Sequence, residues 1–338
     1  MALRAVWWYH DVMVTGRNSN LDGYVGRFQS LHCDQHEGRP RPHKAVMLLA
    51  VLSLADNGQL VENKIVYGPE LLELFKRFFA VVRGPTDQCT PWNPFFFLKS
   101  ERFWHLHSVP GKEAVLDAMD APRSAAKLAS VVAFASLDEE LFALVAQPAR
   151  SRVDLRMAII ERYFSGQQAQ LLALCGEERD IGRVRETWLA EGYQVGRGDA
   201  DGASDIVRSA VFGRVVKQAY DYRCAACRVR FLYEDIMLVD AAHLAPFSES
   251  HDDSPQNGIA LCKNHHWLMD TGIIAPGPKG GDYDDLRWYV RKGLDGEIEG
   301  QRDVLQLADK TVVLPRDVRL RPKHEAIDRR MALLEVAC

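Results

Sequence analysis

Two short pairs of soft metal ligands constrain this chain more than any other feature. Cys224 and Cys227 form a C-x2-C pair, and Cys262 and His265 form a C-x2-H pair that begins 35 positions after Cys227. Nitrogen and sulfur donors paired at such a spacing suit tetrahedral zinc. The protein fills all four positions, leaving no place for a catalytic water. The expected ion is therefore a structural Zn2+ that staples a small β-rich unit with little core of its own. The other cysteines, Cys33, Cys89, Cys175 and Cys338, follow no pattern. Seven cysteines in 338 residues read as a reduced protein and not as a disulfide miniprotein.

The composition, 47% hydrophobic and 26% charged, excludes wholesale disorder, collagen-like repeats and coiled coil. The length implies two domains with room for a small third element. A net charge of -4 supplies no global basic field, so any nucleic-acid contact must come from local patches. The longest apolar stretches, such as Ala45–Ala55, fall short of the roughly 20 residues that cross a bilayer. The opening MALRAVWWYH lacks a signal-peptide pattern. The expectation is a cytoplasmic protein with no membrane partner.

From Pro42 the elements become legible. His43–Asp56 is apolar on most faces and stops at Asn57-Gly58, which predicts a buried helix. A second helix is expected over Pro69–Val82, with Pro69 at its first position and Leu71, Leu72, Phe75, Phe78 and Phe79 in register. Thr90–His107 reads as a loop and then two strands about a hairpin at Lys99–Arg102. Helices are expected at Glu113–Met119, Leu137–Ala146, Val153–Phe164 and through Gln167–Glu191. Gly192–Ser204, rich in Gly and Asp, reads as a linker. Beyond it come a helix at Asp205–Tyr222, strands at Ile236–Leu244 and Gly258–Cys262, and a short helix at Asn264–Asp270. Strand-like runs at Leu286–Val290 and Thr311–Pro315 precede a terminal helix from His324 to Val336. The basic cluster Arg316, Arg319, Arg321 and Lys323 reads as a solvated face or a phosphate contact, with the solvated face favoured.

Interleaved with the zinc pairs lie His243, Asn257 and His266, spaced 14 and 9 apart. This segment, roughly Arg223–Ile274, resembles the HNH endonucleases of the ββα-metal fold, with a strand histidine, a loop asparagine and a helix histidine. Phosphodiester hydrolysis needs a base, a Lewis acid at the phosphate, and a group that holds the base in place. His243 is the candidate base, since a neutral imidazole titrates near operating pH. Asn257 would hydrogen-bond backbone to hold the loop and orient His243. His266 is the candidate ligand of one hard divalent ion, Mg2+ or Mn2+. Many members of the family carry an acidic ligand directly before the strand histidine, where this chain has Ala242. Asp240, two residues earlier, and Asp270, four residues after His266 on the same helical face, are the alternatives, with Asp270 favoured.

A ββα-metal unit grips backbone and has little base selectivity, so target choice is expected elsewhere. Arg39–Leu52, Asn93–Leu98 and Arg102–His107 resemble the sulfur-binding domains of modification-dependent HNH restriction enzymes, which read phosphorothioate DNA. The resemblance implies a shallow apolar cavity at Pro94, with His43 and Lys44 as the basic pair that holds flanking backbone. Lysine stands where an arginine is usual, and Asn93 where a tyrosine often precedes the proline. A softer, less hydrated sulfur suits a cavity of proline and aromatic edges beside cations. Arg39, Arg41, His43 and Lys44 at a helix start favour a phosphate. Arg102 joins them, and Trp92 or Trp104 would serve as a stacking platform if the mark were a modified cytosine.

The combined expectation is an α+β chain. Residues 1–165 would be a mainly helical modified-DNA recognition domain with a small β element, 166–203 a connector, 204–290 a zinc-stapled HNH nuclease and 291–338 a C-terminal extension. The expected function is a restriction or phage-defence endonuclease acting on modified double-stranded DNA, most simply as a homodimer. Rival readings are an HNH nuclease that reads modified cytosine or lacks modification selectivity, and a zinc-stapled DNA-binding module without catalysis.

Overall fold

The computed structural model describes residues 19–36, 38–146, 150–191, 205–233 and 236–336. The Gly192–Ser204 stretch read as a linker and Cys338 lie outside these. The chain divides into two compact units, residues 1–55 with 60–172, and residues 56–59 with 173–338. Helices and small antiparallel two-stranded sheets make up both, an α+β architecture. No helix among the described residues is long and apolar enough to cross a membrane.

The first unit is built around the helix His43–Asp56. Every residue from Ala45 to Leu54 is buried, as its unbroken apolar run requires. The amphipathic helix Pro69–Val82 buries Leu71, Leu72, Phe75, Phe78 and Phe79 and starts with Pro69, whose missing N–H costs nothing there. Strand Trp104–Ser108 pairs antiparallel with Val132–Leu137, Trp104 opposite Leu137. No hairpin forms at Lys99–Arg102. Trp92–Phe97 is a helix that tightens into a 3-10 turn at Leu98–Glu101, and Arg102 ends it in the left-handed region at φ 62°. Pro94 sits in the first helical turn, where N–H groups have no intrahelical partner, so it is accepted in a helix start within the segment read as a loop and two strands.

In the second unit, helix Asp205–Ala219 leads to the Cys224–Cys227 turn. Strand Val239–His243 pairs antiparallel with Gly258–Cys262, His243 opposite Gly258. A Cβ on Gly258 would fall 2.3 Å from Val216 and 2.8 Å from Phe212, so only glycine lets that helix lie on the strand. Helix Lys263–Asp270 follows directly, then strands Ile274–Lys279 and Asp282–Val290. Thr311–Pro315, read as a strand, forms only an isolated bridge from Thr311 to Arg287. The terminal helix His324–Val336 turns Ala326, Ile327 and Arg330 inward.

Arg330 is 3% exposed and spends its guanidinium on carbonyls. Nε donates to Leu244 O at 2.6 Å, Nη2 to His243 O at 2.8 Å and Nη1 to Met269 O at 3.0 Å. It thus ties the end of the His243 strand to the end of the His266 helix. Buried acceptors left unpaired cost about 1–3 kcal/mol each. Arg330→Met should therefore lower the stability of this unit by about 3 kcal/mol or more, read as a shifted denaturant midpoint. A shift of under about 0.5 kcal/mol, the level of ordinary surface substitutions, would show that the clamp is not holding the unit together.

Candidate functional site

The knuckle Cys224–Cys227 is closed by Arg228, left-handed at φ 63°, whose N–H returns to Cys224 O at 2.9 Å. Ala225 N donates to Ala260 O at 2.8 Å, which docks the knuckle on the strand that ends at Cys262. The four ligand atoms of Cys224, Cys227, Cys262 and His265 lie within 4.8 Å of one another. His265 Nδ1 is 3.0 Å from Cys262 Sγ and 3.8 Å from Cys224 Sγ. A tetrahedral ion with bonds of about 2.0–2.3 Å holds its ligands roughly 3.5–3.8 Å apart, so this donor set fits zinc. Close approach to Cys224, with His265 beside it, pulls the Cys262 thiol well below its ordinary range, while Cys224 is pushed up. The cluster thus already favours one thiolate. Among the described residues it is the one group of three or more His, Cys, Asp or Glu drawn together for a metal.

His243 ends its strand with its ring stacked on Phe212 at 4.0 Å and 6°. Its side chain is 25% exposed, and its Nε2 lies 2.9 Å from Asp253 Oδ1. Asn257, fully buried, accepts from Ala245 N at 2.8 Å and donates to Ala245 O and Asp252 O, both at 2.9 Å. It closes the 244–257 loop without touching the His243 ring, which is the backbone-holding part of the role expected of it.

His266 lies between the two candidate carboxylates. Its Nδ1 is 3.7 Å from Asp240 Oδ2 and its Nε2 is 3.2 Å from Asp270 Oδ2. The two acids thus face different nitrogens, and an ion bound to one nitrogen meets one of them. Asp240 is also ion-paired with Lys263. The hydrogen bond to Asp270 holds the His266 imidazole above its ordinary range, and His266 holds Asp270 below its own. An imidazole with carboxylate oxygens is a donor set that hard divalent ions accept.

In the first unit, Arg41, His43, Lys44, Asn93 and Pro94 line one cavity of about 510 Å3. Cys33 and Phe97 line it too and were not foreseen. Burial pushes the Cys33 thiol up to about 11, so it is a neutral, soft wall. The charges around the cavity are largely spoken for. Lys44 Nζ lies 2.5 Å from Glu101 Oε1, and Arg39 and Arg41 share the buried Asp87 at 2.6 and 3.8 Å. Burial lowers the His43 pKa, and its Nε2 donates to Gln88 O at 2.8 Å, so it enters as a neutral imidazole and not as a cation. Arg39, Trp92 and Arg102 are not among the lining residues. Trp104 is corrected outright: it is 1% exposed, packed edge-on against Phe95 at 5.3 Å, and offers no face to a base.

Sequence reasoning also missed Asp253 and Arg330. Asp253 sits in an Asp-Asp-Ser-Pro run that any loop would explain. Arg330 falls at the inward i, i+3 position after Ile327, a signal that helical periodicity carries.

Comparison with known proteins finds a family model for each of these two regions. Residues 22–179 match the model of the ScoMcrA-like DNA sulfur-binding domain, and residues 224–275 that of the HNH endonuclease. No curated protein matches the chain. Among solved structures, one described as a modification-dependent TagI restriction endonuclease is 21% identical, with a TM-score of 0.30, over 42% of this chain and 44% of that one. This chain therefore spans less than half of the TagI chain it matches. The sulfur-binding domain of SprMcrA complexed with phosphorothioated DNA is 18% identical, with a TM-score of 0.37, over 47% of this chain and 95% of that one. The cavity at Pro94 thus lies in the stretch that matches the ScoMcrA-like DNA sulfur-binding domain, and His243, Asn257 and His266 lie in the stretch that matches the HNH endonuclease.

Proposed function

We propose that this protein is a restriction endonuclease that reads phosphorothioate DNA through residues 1–165 and cuts it through residues 204–290 by a one-metal HNH mechanism. The observation that carries the reading is the joint presence, in one chain, of the Pro94 cavity within the matched sulfur-binding domain and the His243, Asn257, His266 constellation within the matched nuclease domain.

At the recognition end, Pro94, Phe97 and the Cys33 thiol give the cavity a soft, weakly hydrating wall. Sulfur loses less hydration than oxygen on entering such a wall. With Lys44 and the arginines paired to acids, bare phosphate gains little there, and discrimination falls to the apolar wall. His43 and Asn93 would hold the flanking backbone as hydrogen-bonding groups.

At the cutting end, His243 takes a proton from the attacking water, and the water oxygen bonds to phosphorus as the 3′ oxygen departs. A divalent ion, Mg2+ or Mn2+, held by His266 with Asp270 would supply Lewis acidity at the phosphate. Asp270 is preferred to Asp240, which is held by Lys263. Asn257 keeps the loop closed, and Cys224, Cys227, Cys262 and His265 would hold a Zn2+ that keeps strand and helix together. One such site cuts one strand, so a double-strand break calls for two copies of the chain.

The test uses purified protein with Mg2+ or Mn2+ on matched plasmids that are unmodified, phosphorothioated or cytosine-modified. Cutting of the phosphorothioated plasmid alone is expected. Equal cutting of all three would remove the modification reader, cutting of the cytosine-modified plasmid alone would replace the mark, and no cutting of any would favour a binding module.

A further inference from the structure

We infer that Asp253 is the positioning residue of the catalytic histidine: its carboxylate accepts the Nε2–H of His243 and so fixes the tautomer that leaves Nδ1 with a bare lone pair. The inference rests on the reading of His243 as base.

The geometry is specific. Asp253 Oδ1 is 2.9 Å from His243 Nε2, and the Asp253 side chain is 7% exposed against 25% for His243. A neutral imidazole carries one N–H, and a buried carboxylate on one nitrogen draws it there. The other nitrogen is then obliged to be the acceptor, as a base requires. Phe212 stacked at 6° fixes the plane of the ring, so the hydrogen bond and the stack together leave the imidazole one orientation.

The loop bearing Asp253 is itself held from both flanks. Asp252 O accepts from Asn257 Nδ2 at 2.9 Å, and Asp252 Oδ1 accepts from Ser254 N at 2.9 Å. Lys323, from the segment before the terminal helix, pairs with the Asp252 carboxylate and donates its backbone N–H to Gln256 O at 3.0 Å. Gln256 Nε2 returns to Arg319 O at 2.6 Å. The C-terminal extension, which lies outside the matched nuclease region, thus fastens the loop that aims the base.

The test compares the full chain with Asp253→Ala and Asp253→Asn. Long-range 1H–15N correlation, with His243→Ala to assign the signal, reads the His243 tautomer without any nuclease assay. The wild type is expected to show the Nε2–H form. Asp253→Asn should keep it, because an amide oxygen still accepts, and Asp253→Ala should mix both forms. Cleavage by Asp253→Ala should fall about 10²-fold in kcat with KM unchanged, and Asp253→Asn should recover part of that loss. An unmixed His243 tautomer in Asp253→Ala, or equal kcat in all three proteins, would overturn the inference. Should the wild type cut no DNA while the tautomers behave as expected, the functional reading fails and the positioning role stands.

Discussion

His243→Ala should lower the rate of phosphodiester cleavage by about 10²–10⁴-fold, the usual worth of a positioned general base. Zinc content, oligomeric state and duplex binding should not change. The separation is expected because the backbone of His243 is held independently of its ring: Arg330 takes its carbonyl at 2.8 Å, and the pairing with Gly258 fixes the strand. What the substitution removes is the stack on Phe212 and the bond to Asp253, both at a partly exposed position. The measurement is single-turnover cutting of a phosphorothioated duplex at saturating protein, beside a thermal melt. Added imidazole should restore part of the lost rate, since it supplies the missing base without altering the fold. A folded variant that cuts at more than a tenth of the wild-type rate would move the base to another residue.

The nuclease half was the more legible in sequence, for a physical reason. Metal ligands and reacting groups are tied to fixed residue types at spacings set by short elements, so Cys224, Cys227, Cys262 and His265 announce themselves, and the structure gathers them within 4.8 Å. The same logic placed His266 and Asp270 one helical turn apart, now 3.2 Å between nitrogen and oxygen. Asp253 stayed hidden because its partner is ten residues away across an irregular loop whose closure no periodicity encodes. The terminal helix was bounded correctly at His324 and Val336, but its role was not seen, because Arg330 acts on backbone carbonyls, which carry no sequence signature.

In the N-terminal half, periodicity found the helices His43–Asp56 and Pro69–Val82 to the residue. It failed at Trp92–Arg102, where prolines and aromatics satisfy a strand pattern and a helix start equally well. That failure carried over to the site. Read as a loop and two strands, the segment left Trp104 free to face DNA; it folds instead as a helix and a turn that turn Asn93, Pro94 and Phe97 to the cavity, and the strand that follows begins on the buried Trp104. The charge reading missed its compensation for a related reason. Asp87 and Glu101 lie 48 and 57 positions from Arg39 and Lys44, beyond any local pattern.

Removing the metal from the Cys–His quartet should unfold the second unit and leave the first intact. The sheets of the second unit are two-stranded, and Val239–His243 and Gly258–Cys262 are five residues each, too little for independent stability. Structural zinc in small domains contributes about 10–16 kcal/mol of apparent binding energy, as much as the whole stability of an ordinary domain at about 5–15 kcal/mol. Cys224, Ala225, Ala226 and Cys262 belong to the same buried cluster as Trp288 and Ile327, so loosening the knuckle opens the core and not merely a surface turn. The first unit has its own core on the Ala45–Leu54 helix and holds no residue of the quartet. Cys227 is exposed and gives a chelator its point of entry. Calorimetry of the zinc-loaded protein should therefore show two transitions, and chelation or Cys262→Ser should abolish one of them. Cleavage should vanish with it, while binding to phosphorothioated duplex through the surviving unit persists at a reduced level. A chelated protein, shown free of zinc, that kept both transitions would mean that the quartet closes without an ion and that the hydrophobic cluster alone holds His243 and His266 in register.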